Sequence, residues 1–277
     1  MHHPVLIDEV IVHLQIKKDG LYIDATLGDG GYTRKILELG GKVFAMDLDK
    51  AQISNFQSQI SNNKNLTLVQ GNFKDIEKIA KEQGFFPVDG VVFDLGLSMR
   101  QLYESGRGFS YKNENEILDM RLDLNEEQTA ADYLNSLSEQ NLYELFAKNA
   151  EELNSWSITR ALIFARKIRK IETVGDLNRV IEEAIGKKDS AVSARIFQSL
   201  RIEVNHEFEN LRKGLEGALK LIKNDGKVLV ITFHSREDRI VKLFAKENRL
   251  KFETKKPVIS KSDLRFERSA KLRIITK

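Results

Sequence analysis

Residues 21–33, Leu-Tyr-Ile-Asp-Ala-Thr-Leu-Gly-Asp-Gly-Gly-Tyr-Thr, leave this chain few folds to choose from. A hydrophobic strand ends on an acid, Asp24, and the chain turns through Gly28, Gly30 and Gly31. A helix then opens that carries Ile36, Leu37 and Leu39. Glycine at such a turn takes up positive φ and lets backbone approach a ligand, and the exposed N–H groups of a helix start favour electron-rich groups. Turns of this kind also serve as plain connections, so the following strands decide the reading.

Residues 42–46 form a second strand ending on Asp47, where a carboxylate accepts from both hydroxyls of a ribose. Asp49 is suited to cap the helix that begins near Lys50. A third strand, 66–69, runs into Gly71-Asn72-Phe73, whose ring either stacks on an adenine or joins the core. A fourth, 90–93, ends at Asp94-Leu95-Gly96-Leu97-Ser98. Four polar or glycine-bearing strand tips define one edge of a parallel sheet, the edge at which open α/β folds bind ligands. A dinucleotide fingerprint requires a third glycine at position 33, where Thr33 stands. An acid four residues before the first glycine suits S-adenosylmethionine better, because Asp24 can hold its ammonium directly or through water.

At 277 residues and 41% hydrophobic, the chain buries a substantial core as one domain or a domain with an insertion. It has no apolar run near the roughly 20 residues that span a bilayer. The start, Met1-His2-His3-Pro4-Val5-Leu6, lacks the order of a signal or transit peptide, so a cytoplasmic protein is expected. The absence of cysteine excludes disulfides, thiolate zinc and iron–sulfur clusters. It also removes the thiol nucleophile that C5 methylation of a pyrimidine needs. Pro4, Pro87 and Pro257 stand apart, so there is no Asp/Asn-Pro-Pro-aromatic loop. The net charge is only +3, yet residues 236–277 hold 14 Lys and Arg against 6 Asp and Glu. That surplus either neutralises a phosphate backbone or forms a solvated tail.

Beyond residue 100 the pattern turns helical, with apolar spacing of three and four over 129–137, 139–147, 157–170 and 174–185. One long helix is expected over about 194–222, then a turn at Asn224-Asp225-Gly226 and a returning strand over 227–233. The expected organisation is a sheet domain over 1–112, an inserted helical domain over 113–205, and the rest of the sheet domain over 206–277 with a basic C-terminal segment. The insertion either orients a substrate or enlarges the core.

Several blocks then stand in a recognisable order: His2-His3-Pro4-Val5-Leu6-Ile7-Asp8-Glu9, the 24–33 loop, Asp94-Leu95-Gly96-Leu97-Ser98 and Arg107-Gly108-Phe109-Ser110-Tyr111. Leu118-Asp119-Met120-Arg121-Leu122-Asp123, Phe197-Gln198-Ser199-Leu200-Arg201-Ile202, Phe233-His234-Ser235-Arg236-Glu237-Asp238-Arg239 and Arg268-Ser269-Ala270-Lys271-Leu272-Arg273 follow. Over nearly its full length the chain resembles the bacterial ribosomal RNA small-subunit methyltransferase H family, also called MraW. The resemblance implies an α/β, Rossmann-like class I S-adenosylmethionine-dependent methyltransferase fold with an inserted all-helical domain. It implies N4 methylation of a cytidine in the decoding region of 16S rRNA, with the small ribosomal subunit as the expected setting. It also places cofactor contacts on Gly30, Gly31, Tyr32, Asp47, Phe73, Asp94 and Gln101; Asp24 and Gly28 join them from the loop pattern. The chain departs from the family at Gly28-Asp29-Gly30-Gly31-Tyr32-Thr33, Ser98-Met99-Arg100-Gln101, Ala150-Glu151-Glu152 and Ala191-Val192-Ser193-Ala194-Arg195, so it is a divergent member.

A cytosine amine is a poor nucleophile, so positioning and electrostatics carry such a transfer. Asp94 and Ser98 are expected at the methyl group, with Asp94 binding either the amine or the cofactor. Asp119 either accepts from the amine or pairs with Arg121, which otherwise meets phosphate or the base. His234 either binds the target nucleotide or has a structural role; with Ser235 and Asp238 so close in sequence, a hydrolytic triad is not expected. Arg195, Arg201, Arg239, Arg268, Lys271 and Arg273 are candidates for the RNA backbone, and Phe109 or Tyr111 for stacking on an extruded base or for the core. The competing readings are a methyltransferase for another RNA site, DNA or a small molecule, and a cofactor-binding ribosome-assembly factor without turnover. Monomer and homodimer are equally compatible with the sequence.

Overall fold

A computed structural model describes residues 4–60, 63–260 and 267–277; His2 and His3 of the opening block and part of the basic tail lie outside them. The chain divides into two compact units, Met1–Gly96 with Phe208–Lys277, and Leu97–Glu207.

The first unit begins with α1 (Ile7–Leu14), β1 (Leu21–Asp24), α2 (Gly31–Glu38), β2 (Lys42–Asp47), α3 (Lys50–Gln59), β3 (Leu66–Gln70), α4 (Ile76–Glu82) and β4 (Val88–Asp94). The second unit carries α5 (Met99–Tyr103), α6 (Ala130–Ser136), α7 (Glu139–Asn149), α8 (Ser155–Ile168), α9 (Val174–Ile185) and α10 (Ser190–Val204). The first unit resumes with α11 (Glu207–Leu221), β5 (Ile222–Thr232), α12 (Ser235–Glu247), β6 (Lys251–Phe252), β7 (Val258–Ile259) and β8 (Lys271–Thr276).

The sheet runs β3-β2-β1-β4-β5-β8-β6, with β7 paired to β8. Strands β1 to β5 pair in parallel, and β8 is antiparallel to β5 and β6. Both faces are covered, which is why the central strands are nearly continuous apolar runs. Ile23, Phe44, Val91, Phe93 and Val230 face Leu211, Leu215, Val241 and Phe244 of α11 and α12. Their alternates, Tyr22, Val43, Ala45, Val92 and Leu229, face Val10, Ile36 and Phe56 of α1, α2 and α3. Helix α11 lies so close to the end of β3 that a Cβ on Gly214 would come within 2.8 Å of the Phe73 ring.

Two expectations change. The long helix over 194–222 is two helices, because His206 takes the left-handed conformation (φ 50°) between α10 and α11. Asn205 caps the break: its side chain accepts from Leu122 N–H and donates to the Met120 and Arg201 carbonyls. The insertion also starts at residue 97 rather than 113, since Leu97, Leu102, Phe109 and Tyr111 pack into the helical unit's core with Phe197, Leu200 and Leu177. Its end at 207 lies close to the expected 205.

Candidate active site

Three neighbouring parallel strands end on acids: Asp24 on β1, Asp47 on β2 and Asp94 on β4, with β1 between the other two. Between these tips the glycine loop enters α2. Gly30 caps that helix in the left-handed conformation (φ 75°), with no side chain to satisfy the first N–H groups. Those donors are left for a ligand.

Each acid has a different task. Asp24 has no exposed surface. Its Oδ2 accepts from the Thr33 hydroxyl at 2.6 Å and its Oδ1 from Thr26 N–H at 3.3 Å. The expected direct grip on an ammonium is therefore corrected: Asp24 ties the loop to the first turn of α2. Thr33, read from the sequence only as a missing glycine, is the donor that anchors it. Asp47 is half-buried, accepting from Gly28 N–H and Asp49 N–H at 2.9 Å each. That geometry shapes the loop while each oxygen keeps a lone pair for a further donor. Asp49 caps α3 through Ala51 N–H, as expected. The Asp94 N–H donates to the Thr26 hydroxyl at 2.7 Å, and its carboxyl Oδ1 is buried with no hydrogen-bond partner among the described residues.

The charges press on one another. Burial pushes Asp24 up to about 6 against the Thr33 hydroxyl and the Thr26 N–H. Burial likewise lifts Asp47 to about 7 against its two backbone donors, with the charges of Asp49 and Asp24 adding to the rise. Asp94 reaches about 7 through burial and the Asp24 charge; the nearby Tyr32 hydroxyl works the other way. An edge with an orphaned carboxylate oxygen and three strained acids favours a cation carrying hydroxyls, and disfavours the diphosphate of a dinucleotide.

The remaining candidates fall into two groups. Gly28, Gly30, Gly31 and Phe73 stand at the same edge; the half-buried Phe73 ring packs edge-on against Phe93 at 5.6 Å. Tyr32 points into the core, donating its hydroxyl to the Val5 carbonyl, so only its backbone can serve a ligand. His234 stands two residues beyond β5 and caps α12. Its Nδ1 accepts from Glu237 N–H at 3.5 Å and its Nε2 lies 3.0 Å from Glu237 Oε1. Buried Glu237, unmarked by the sequence reading beyond its place in a motif, also accepts from Phe233 N–H at 2.8 Å. The cap supports the structural alternative for His234, while its buried Nε2, without a hydrogen-bond partner among the described residues, supports the nucleotide-binding one.

In the helical unit, Ser98 and Gln101 form a reciprocal capping box on α5. Asp119 is buried and bidentate with Arg121, through Nε at 2.8 Å and Nη2 at 2.9 Å. Burial works to raise the Asp119 carboxyl, but the Arg121 guanidinium more than offsets it and holds it below the usual range. Arg195 pairs with buried Glu152 through Nε at 2.8 Å, joining two blocks that depart from the family pattern. Arg201 is bidentate with Glu207, at 2.7 and 3.0 Å. Phe109 is core, with Arg107 over its ring. In the first unit, Arg273 is buried and bidentate with Asp238. Arg195, Arg201 and Arg273 are therefore corrected from phosphate contacts to ion-pair partners, while Arg121 takes its ion-pair alternative and Phe109 its core alternative rather than their RNA contacts. Arg239 and Arg268 are exposed and Lys271 half-exposed. Among the described residues, no acid and histidine cluster could hold a metal, and no helix is long and apolar enough to cross a membrane.

The 3-2-1-4-5 parallel order with one reversed strand beyond it, together with the acid-tipped edge, defines a class I methyltransferase whose methyl donor is S-adenosylmethionine. Comparison with known proteins makes this specific. The chain belongs to the MraW methylase family, whose model matches residues 1–277. A relative named ribosomal RNA small subunit methyltransferase H, from Clostridium botulinum (strain Loch Maree / Type A3), is 37% identical over 100% of this chain and 98% of its own length. A protein of the same name from Thermomicrobium roseum is 39% identical over 88% of this chain and 76% of its own. Among solved structures, a putative rRNA-methylase from Clostridium thermocellum covers 100% of both chains at 14% identity, with a TM-score of 0.48.

Proposed function

We propose that this protein methylates N4 of one cytidine in the decoding region of 16S rRNA, within the small ribosomal subunit in the cytoplasm. Family membership and the names of the full-length relatives support rRNA as substrate. The observation that carries the base chemistry is the buried, unpartnered Oδ1 of Asp94 at the tip of β4. An exocyclic amine offers N–H donors to such an oxygen, and no cysteine is present for a covalent route through C5.

Bound S-adenosylmethionine supplies an electrophilic methyl group on a sulfonium, so its leaving group needs no acid. Asp47 accepts from the ribose hydroxyls, and Phe73 offers its ring to the adenine. The uncapped N–H groups of Gly31 and Tyr32 take electron-rich atoms of the methionine part. Asp94, held by the Thr26 hydroxyl at its N–H, binds the amine or cofactor ammonium and orients it. Its raised proton affinity equips it to hold the proton that the amine sheds. Ser98, Gln101 and Asp119 act by shaping their loops, since their polar atoms already serve capping and ion-pair contacts. Arg239, Arg268 and Lys271 meet the RNA backbone.

The test is labelled methyl transfer to small subunits that lack the modification, followed by mass spectrometry of the digested rRNA. N4-methylcytidine at one site is the expected product. A methyl on another base, on DNA or on a small molecule would replace this reading. Tight binding of cofactor and subunit without transfer would leave an assembly factor.

A further inference from the structure

The arginines of α10 are engaged by carboxylates, but another face of the helical unit is not. Helix α8 carries Trp156, Arg160, Phe164, Lys167 and Ile168 along one side, at spacings of three and four. Trp156 is 50% exposed, Phe164 68% and Ile168 75%. On the opposite side Ile158, Thr159 and Leu162 are fully buried, so the helix's apolar packing is satisfied without the outward rings. Residues 155–170 contain five Lys and Arg and no acid. Among the described residues, Arg160, Lys167 and Lys170 form no ion pair. The neighbouring Glu144 of α7 is already held by Lys148. The Trp156 ring stands edge-on to Tyr143, with centroids 5.5 Å apart at 85°, which fixes its orientation in advance.

We infer that the outward face of α8 is a docking surface for single-stranded or looped RNA of the substrate. Bases stack on Trp156 and Phe164 while phosphates meet Arg160 and Lys167. The two rings are about 12 Å apart along the helix, at 1.5 Å per residue. That is the span of roughly three to four nucleotides stacked at 3.4 Å. Alternating rings and cations are the recognition chemistry of unpaired nucleic acid. A second copy of the chain would bring the same unpaired cations face to face with no acid between them. A lipid surface calls for a helix free to lie in the interface, whereas α8 is anchored through its buried side. The inference rests on the rRNA reading above and names where in the helical unit the RNA is held.

The test measures binding of unmodified small subunits to the full-length protein directly, with methyl transfer followed separately. In Arg160→Glu/Lys167→Glu the subunit Kd rises at least tenfold and the salt dependence flattens. In Trp156→Ala/Phe164→Ala the Kd rises about tenfold or more with the salt slope retained. Calorimetric cofactor affinity and the melting temperature stay as in the wild type in both. A subunit Kd within twofold of wild type in both variants overturns the inference. So does a loss of self-association or of binding to phosphatidylglycerol vesicles in the variants while the subunit Kd holds. A wild type that binds subunits through α8 but transfers no methyl group would sustain this inference and sink the proposed reaction.

Discussion

At the scale of single residues, one chemical type does three jobs. Asp24, Asp47 and Asp94 all close strands of the same sheet edge, yet Asp24 is a fully buried loop anchor and Asp47 and Asp94 keep capacity for a ligand. Sequence position alone selects the acids. Their division of labour depends on which hydroxyl or N–H each one meets, and Thr26 and Thr33 carry no motif that announces them. Replacing Asp47 by Ala removes both the proposed ribose acceptor and the contacts that hold Gly28 and Asp49. The expected cost is about 1–3 kcal/mol of cofactor binding, a roughly five- to 150-fold rise in Kd by calorimetry. Unchanged affinity would remove Asp47 from the site. The same scale explains the arginine corrections. A guanidinium reads as a phosphate contact in sequence, but Arg195, Arg201 and Arg273 each find a carboxylate distant in sequence or partly buried, at lower cost than leaving that carboxylate unpaired.

At the scale of elements, periodicity locates the helices well: the spans expected at 129–137 and 174–185 become α6 and α9 within a residue or so. It fails where two helices abut with apolar spacing running through the junction, as at Asn205 and His206. A three-way hydrogen-bonded asparagine and one left-handed residue decide that break, and neither disturbs the pattern of buried positions. Asn205→Ala leaves the Leu122 N–H and the Met120 carbonyl without their partner. It is expected to destabilise the protein by about 1–3 kcal/mol, read as a lower denaturation midpoint with an unchanged slope. A midpoint equal to wild type would mean the junction is held by helix packing alone.

At the scale of the whole molecule, titration reports both classes of acid together. Asp24, Asp47 and Asp94 have folded-state pKa values raised to about 6, 7 and 7, so their protonated forms favour folding. That contribution is full below the ordinary carboxylate range near 4 and is lost as pH rises towards 7. Asp119, Glu152, Asp176 and Asp238 are held below their usual range, so their contribution is present above it and is lost as pH falls. The cofactor-free protein is therefore expected to melt at its highest temperature in mildly acid solution and at lower temperatures as pH rises from 5 to 8. A cationic ligand at the acid edge favours the ionised carboxylates. Added S-adenosylmethionine should raise the melting temperature more at pH 8 than at pH 5. A cofactor-induced shift that shrinks with rising pH would contradict this electrostatic account.

The chain's own order of residues determined the strand–acid–glycine edge, the alternation of sheet and helix, the helical insertion and the family, because periodicity and turn chemistry are local and written contiguously. Only the tertiary structure decided which acid is a fully engaged loop anchor and which keeps hydrogen-bonding capacity, where the insertion begins, and which arginines are already paired. Those outcomes depend on burial and on partners as far apart in sequence as Asn205 and Leu122 or Arg195 and Glu152. No local pattern encodes a contact whose energy exists only once both groups have left water.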